Sequence, residues 1–101
     1  MKKMTRRTIF ENKELFNELA NKTMFPQWVY KLVLFIREID ELYFEIYEEY
    51  WEYMKVDDDK AEIYLDTPVN LVNNYTMNDL LNYSMDISVA EFELYKTILE
   101  N

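Results

Sequence analysis

The chain has 101 residues, a net charge of −9 and no Gly, Cys or His. Phosphate-binding loops of the Walker or dinucleotide type need glycine, and zinc sites, thiol nucleophiles and Ser-His-Asp relays need Cys or His, so none of these can form. Half of the residues are hydrophobic and 17% are aromatic, which is typical of a folded protein, and the length predicts a single domain over residues 1–101.

The first predicted helix follows a short basic arm, residues 1–7. A polar segment follows this arm where a signal peptide would have its apolar region, so we expect no export signal. Thr8 lies three residues before Glu11, which is the spacing of a capping box, and this predicts a helix from there to about Asn21. A break then precedes Pro26, which is suited to the first turn of the next helix.

A long helix is predicted over about residues 27–55, because apolar residues recur there at alternating steps of four and three. It would be about 43 Å long at 1.5 Å per residue. The longest apolar run, 28–36, is interrupted by Lys31 and is too short to cross a bilayer, which takes about 20 residues. The predicted fold is therefore all-α, a small compact helical bundle around this central helix. Its apolar stripe comprises Leu32, Ile36, Ile39, Tyr43, Ile46, Tyr50 and Tyr53.

The segment after the long helix has two interpretations. Asp59 and Glu62 have the spacing to cap a short helix through Leu65, and we favour this helix. Residues 61–66 are also compatible with a short strand or a turn. Next, the cap-then-proline pair that begins at Thr67 predicts one turn of helix through 72.

Two capping boxes predict the last helices. Thr76 and Asp79 predict a helix over 77–84. Ser88 and Glu91 predict a second helix over 89–99, with an apolar face of its own.

Acidic residues are concentrated in the middle of the chain. Residues 1–37 contain three acids and eight bases, 38–66 contain twelve acids and two bases, and 67–101 contain five acids and one base. Five glutamates repeat at spacings of three and four on the long helix, which places them on one ridge, and Glu49 lies beside them. The ridge carries about one charge per 3.5 Å, close to the phosphate spacing of one DNA strand, about 3.4 Å. The residues predicted to bind a partner are Glu38, Glu41, Glu45, Glu48, Glu49, Glu52, Asp57, Asp58, Asp59 and Trp51.

The alternative for this ridge is an ordinary solvated helix face on which Arg37 pairs with Glu41 and Lys55 pairs with Glu52. The aromatic residues of the long helix also have two interpretations, as core or as an interface. Phe44 and Trp51 fall outside the apolar stripe, so a second helix, a second copy of the chain or a target would have to cover them.

The segment Glu48–Glu52 has the form EExxE and resembles one motif of the all-helical nucleotide pyrophosphohydrolases of the MazG kind, where clustered carboxylates bind magnesium. Those enzymes also need an ExxD motif, and Glu62–Asp66 is one residue too long to supply it. Asp57–Asp59 resembles the start of a calcium loop but lacks the glycine and glutamate that an EF-hand needs at later positions. We expect no metal, no cofactor and no enzyme activity.

The charge pattern predicts a non-catalytic acidic inhibitor. Its ridge would act as a nucleic-acid mimic, docking on the basic groove of a host enzyme such as a defence nuclease. The abundance of Asn, Lys, Ile and Tyr fits an AT-rich genome, such as that of a phage, and the expected location is the host cytoplasm. The acidic net charge argues against direct binding to nucleic acid or to a membrane. The alternative is a structural or regulatory homo-oligomer, for example a homodimer, that pairs through the aromatic side of the long helix.

Overall fold

The computed structural model describes residues 4–21, 26–83 and 87–99, and within these ranges the chain forms six helices. The all-α prediction is confirmed, since the β pairing within those ranges is one isolated bridge between Thr5 and Pro68. The helices are α1 Arg6–Glu11, α2 Lys13–Ala20, α3 Pro26–Val56, α4 Asp58–Leu65, α5 Met77–Tyr83 and α6 Val89–Leu99.

The third helix is the axis of the molecule, as its apolar periodicity predicted. Its 31 residues include Pro26 at the start and Val56 at the end, one residue beyond the predicted range on each side. A helix of this length spans about 46 Å, and the longest dimension of the molecule is 46 Å. Helices α1, α2 and α4 pack against α3, and α6 packs against α2 and α5. The predicted break before Pro26 covers residues 23–25, which lie outside the described residues.

The single helix predicted from Thr8 to Asn21 is wrong, because this segment forms two helices, and the first begins earlier. Thr5 is the N-cap of α1, and its side chain accepts a hydrogen bond from the Thr8 amide. Asn12 separates α1 from α2, and its Nδ2 donates to the Thr8 carbonyl at 2.9 Å. Asparagine side chains compete in this way with the helical hydrogen bonds of the backbone.

The segment after α3 is helical, so the interpretation that we favoured for residues 61–65 is confirmed. The cap, however, is Asp57 and not Asp59: an oxygen of the Asp57 carboxylate accepts a hydrogen bond from the Asp59 amide at 2.9 Å. The first aspartate of the run therefore begins the helix, and the next two occupy its first turn.

No helical turn forms at Thr67, so that prediction is wrong. The segment lies instead beside the start of α1. The Arg6 amide donates to the Thr67 carbonyl at 3.0 Å, and the Val69 amide donates to the Met4 carbonyl at 2.9 Å. The backbone of this loop is therefore paired with residues more than 60 positions earlier in the chain, a partner that local sequence cannot indicate.

Both C-terminal capping boxes form as predicted. The Asp79 amide donates to Thr76 Oγ1 at 3.1 Å, and the Thr76 amide donates to the Asp79 carboxylate at 2.9 Å. Ser88 and Glu91 make the same reciprocal pair at 3.1 and 3.3 Å. Helix α6 has the predicted bounds, and α5 begins where predicted, while position 84 lies outside the described residues.

The hydrophobic core is built on the stretch of α3 from Leu32 to Ile46 and thins out towards the C-terminal end of the helix. Ile46 is the last fully buried residue of α3, and Tyr53, which the periodicity placed on the apolar stripe, is 41% exposed. The apolar stripe therefore extends further along α3 than the hydrophobic core does. The core residues are Ile9, Phe16, Leu19, Leu32, Phe35, Ile39, Ile46, Leu65, Val69, Tyr75, Met77, Leu80, Tyr95 and Ile98.

Candidate functional site

The C-terminal half of α3 carries a row of carboxylates that faces solvent. The row consists of Glu41, Glu45, Glu48 and Glu52, and all four side chains are exposed. They lie within the twelve residues 41–52, whose ends are about 16 Å apart along the helix axis. Among the described residues, the one ion pair of this row joins Glu52 to Lys55 at 3.1 Å, and both of its side chains are more than 70% exposed. Such an exposed pair contributes little to stability. Since it involves one of the four glutamates, most of the negative charge of the row is uncompensated by the described residues. We call these four glutamates the carboxylate row.

Glu38 has the spacing of the carboxylate row but a different role. Its carboxylate accepts hydrogen bonds from the Val72 amide at 2.7 Å and the Asn73 amide at 2.6 Å. It therefore anchors the loop between α4 and α5 to the central helix. The sequence predicted Glu38 as a partner-binding residue from its helical spacing. That spacing gives the direction of a side chain but does not show which loop packs against it.

The other predicted acidic residues lie at the edge of this row or beyond it. Glu49 is exposed on the side of α3 that borders α4. Burial raises the pKa of the Tyr64 phenol, and the carboxylate of Glu49 raises it further. Asp57 caps α4, whereas Asp58 and Asp59 are exposed in its first turn, where negative charge is stabilised by the helix dipole. These three aspartates therefore have a structural reason to be acidic.

An aromatic row runs beside the carboxylate row. We define it as Phe44, Tyr47 and Trp51, which are 66%, 46% and 45% exposed. Neighbouring rings lie close to one another. The ring centroids of Tyr47 and Trp51 are 6.2 Å apart, and the Tyr43 centroid is 6.0 Å from that of Phe44 and 6.1 Å from that of Tyr47. Trp51, a predicted partner-binding residue, is thus on the same exposed side of α3 as most of the acids. The carboxylate row and the aromatic row together form what we call the α3 outer surface.

The aromatic row rests on rings that are partly buried. The ring centroid of Phe10, in α1, lies 4.7 Å from that of Tyr50, 6.4 Å from that of Tyr43 and 6.5 Å from that of Tyr47. These contacts fix the row from one side while leaving its outer edge open to solvent. Tyr47 falls at the edge of the apolar stripe by its position on the helix, and periodicity does not reveal which rings at that edge stay uncovered.

The two described arginines of the basic arm do not contact the carboxylate row. Arg7 binds Glu11 at 3.0 Å, Glu62 at 2.8 Å and Asp66 at 2.8 Å, and the hydrogen bonds to these carboxylates raise its pKa. Arg6 donates to Thr67 Oγ1 at 2.7 Å. Both arginines join α1 to α4 or to the loop that follows it, and Arg7 neutralises acids away from α3.

One cation does bind α3, and it uses both a carboxylate and a ring. Lys13 of α2 places its Nζ 2.6 Å from Asp40 Oδ1 and 5.6 Å from the centroid of the Tyr43 ring. Asp40 and Tyr43 are three residues apart, so they are neighbours on the helix surface.

The acids that the structure describes are not gathered into a metal site. Within the described ranges, no group of three or more acidic side chains has the geometry to hold a metal ion, and Glu48, Glu49 and Glu52 of the EExxE segment are no exception. The same ranges contain no helix with the length and apolar character needed to span a membrane.

Comparison with protein family models, with curated proteins and with solved structures finds no match for this chain.

Proposed function

We propose that this protein is a non-catalytic binding protein whose α3 outer surface docks on the basic, nucleic-acid-binding groove of another protein. The observation that supports the proposal is the carboxylate row: four exposed glutamates on one face of one helix, with one lysine paired to them among the residues that the structure describes. Like charges at these spacings each destabilise a helix by about 0.2–0.5 kcal/mol, so the row opposes the stability of the helix that carries it. A basic partner would relieve that repulsion.

The charge spacing supports a nucleic-acid-like role. With Glu49 included, five exposed carboxylates lie within about 16 Å, which is about one charge per 4 Å of helix axis. One strand of B-DNA presents a phosphate about every 3.4 Å. A groove that binds phosphates through Lys and Arg could accept this face in their place. In its most specific form, the proposal makes the protein a phage-encoded inhibitor of a host defence nuclease.

Affinity capture from a lysate of the native host tests the proposal. We expect the tagged protein to retain nucleic-acid-binding proteins at low salt, and we expect added duplex DNA to release them, because both ligands would occupy one groove. Replacing Glu41, Glu45 and Glu48 with Gln should abolish capture. Added salt should weaken it, as for other contacts between exposed charges.

The matched control replaces Glu14, Glu18 and Glu93 with Gln. These glutamates are exposed on α2 and α6, and both triple variants change the net charge from −9 to −6. The control should capture the same proteins as the wild type. If both variants lose capture equally, or if DNA does not displace the captured proteins, the proposed docking of this face on a nucleic-acid groove is wrong.

A homo-oligomer is the second candidate, and the exposed aromatic row favours it. Large exposed rings are typical of interfaces. Two copies that paired through this row would, however, also bring their carboxylate rows close together, and that repulsion favours a basic partner instead.

A further inference from the structure

We propose that the α3 outer surface contains two binding positions for cationic side chains, each made of a ring and the carboxylate three residues before it. The positions are Glu41 with Phe44 and Glu48 with Trp51. Their ligand is a basic helix of the partner that presents two arginines one heptad apart. This inference rests on the proposed function, since it assumes a basic partner, and it specifies that partner's chemistry.

The same arrangement is already occupied once within the molecule. Lys13 lies between the Asp40 carboxylate, at 2.6 Å, and the Tyr43 ring, at 5.6 Å. Glu41 with Phe44 and Glu48 with Trp51 repeat the acid-to-ring spacing of Asp40 with Tyr43 on the same helix. Side chains at this spacing are neighbours on any helix, so a cation that reaches one member can also reach the other.

The two proposed positions are open, whereas the occupied one is covered by α2. Phe44 is 66% exposed and Trp51 is 45% exposed, and the carboxylates of Glu41 and Glu48 also face solvent. Glu48 follows Phe44 by four residues and precedes Trp51 by three, so it can support a cation over either ring.

The ring component favours arginine over lysine. A guanidinium group is planar, stacks on an aromatic face and forms two parallel hydrogen bonds with a carboxylate, while an ammonium group acts as a point charge. Arg6 makes a contact of this kind with an aromatic ring within the protein: its guanidinium carbon lies 5.2 Å from the centroid of the Tyr64 ring.

The spacing of the two positions determines the form of the ligand. They are seven residues apart, which is about 10.5 Å along the helix axis. Two arginines one heptad apart on a second helix have the same separation and lie on nearly the same face. A helix that lies along α3 can therefore fill both positions at once.

Titration calorimetry with synthetic peptides tests this inference on the intact 101-residue chain. The probe is a helical peptide of about 20 residues with two arginines one heptad apart. The comparison peptide has the same composition with the arginines five residues apart, which points them in directions about 140° apart. We expect the heptad peptide to bind about five-fold more tightly, because a lost cation–π contact of about 1 kcal/mol corresponds to that factor. Equal binding of the two peptides would overturn the proposal.

Variants of the rings separate this proposal from simple charge attraction. Phe44→Leu keeps an apolar side chain but removes the aromatic face, and Trp51→Leu does the same at the second position. Each should weaken binding of the heptad peptide about two- to five-fold, the range for an exposed cation–π contact. Leu94→Ala, at an exposed apolar position on α6, should bind as the wild type does. Circular dichroism checks that each variant is folded.

The results distinguish a failure of this inference from a failure of the proposed function. If Glu41→Gln and Glu48→Gln weaken peptide binding while Phe44→Leu and Trp51→Leu do not, the surface attracts bases by charge alone, and the ring–carboxylate positions are wrong. If peptide binding follows the rings as expected but duplex DNA does not release the captured host proteins, the positions exist and the nucleic-acid-groove proposal is wrong.

Discussion

Glu38 and Glu41 are three residues apart on one helix but differ in what they contact. Glu38 accepts two backbone hydrogen bonds from the loop at Val72 and Asn73, whereas Glu41 is exposed. Hydrogen bonds to a charged group are worth about 1.5–3 kcal/mol, less when they are partly exposed. We therefore expect Glu38→Ala to lower the free energy of unfolding by about 1–2 kcal/mol. Glu41→Ala should change it by less than about 0.5 kcal/mol.

Urea unfolding at neutral pH measures both substitutions. Hydrogen exchange provides a local test, because the amides of Val72 and Asn73 should lose protection in Glu38→Ala and keep it in Glu41→Ala. Equal stability of the two variants would show that Glu38 is a free surface acid, and it would then rejoin the carboxylate row.

Asp79 gives the stability of the protein a dependence on pH. Burial opposes ionisation of this carboxylate, but the ion pair with Lys31 at 2.8 Å and hydrogen bonds from Thr76 outweigh it, so the pKa of Asp79 is lowered. A group whose pKa is lower in the folded state stabilises the fold above its unfolded pKa, about 3.9 for Asp, and loses this contribution as the pH falls through the folded value. Asp79 thus stabilises the fold at neutral pH and not in strong acid.

Asp79→Asn should accordingly lower the free energy of unfolding at pH 7 by about 1–2 kcal/mol, since it removes the ion pair but keeps an oxygen for the cap. The deficit relative to the wild type should shrink in strong acid, where the wild-type carboxyl is protonated. Urea unfolding measured from neutral pH into strong acid tests this. Glu93→Gln, at an exposed position inside α6, is the control and should keep the wild-type pH dependence. A deficit that is constant with pH would show that the ionisation of Asp79 does not stabilise the fold.

At the scale of the element, the two halves of α3 do different work. Phe35 is fully buried between the Phe16 and Tyr75 rings, at centroid distances of 6.0 and 5.6 Å, while Phe44 is two thirds exposed. We expect Phe35→Ala to lower the free energy of unfolding by about 3–5 kcal/mol, as for other buried phenylalanines. Phe44→Ala should change it by less than about 0.5 kcal/mol. Thermal or urea unfolding measures the difference, and a large loss in Phe44→Ala would mean that its ring is covered in solution.

The elements predicted correctly from the sequence are those whose signals are local. Helix α3 has an apolar period over its whole length, and α5 and α6 each begin with a capping box that closes within four residues. The failures involve partners elsewhere. Thr5 and Thr8 are both plausible caps, and the backbone pairing of residues 4–6 with 67–69 favours the earlier one. Asn12 interrupts a segment whose apolar pattern continues across it, so the break is invisible to periodicity.

The α3 outer surface was also predicted only in part, because some of its features depend on residues elsewhere in the chain. A helical period gives the direction of each glutamate, so the exposure of Glu41, Glu45, Glu48 and Glu52 followed from spacing alone. Which side chains remain uncovered depends on the ends of neighbouring helices and the path of loops. Glu38 is covered by the loop at Val72 and Asn73, whereas the Tyr47 ring stays 46% exposed although it lies beside Phe10 of α1.

At the scale of the whole molecule, internal ion pairs separate the charges. Arg7 neutralises acids on α1 and α4, Lys13 pairs with Asp40, and Lys31 pairs with Asp79. Within the described residues, these contacts use basic groups away from the carboxylate row. The carboxylate row therefore keeps most of its negative charge beside the aromatic row, where that charge should limit which partners the rings can contact.

Self-association tests this control directly. We expect the wild type to sediment as a monomer at about 0.01 M salt, where the Debye length is about 30 Å, because two carboxylate rows repel at that range. Replacing Glu41, Glu45 and Glu48 with Gln removes most of the repulsion and leaves the aromatic row exposed, so this variant should dimerise more readily. The charge-matched variant of Glu14, Glu18 and Glu93 should remain as monomeric as the wild type, because its row is intact. A wild-type dimer at low salt with a shielded Trp51 would contradict this expectation, since the rings would then pair despite the acids, and the homo-oligomer would become the better account of this surface.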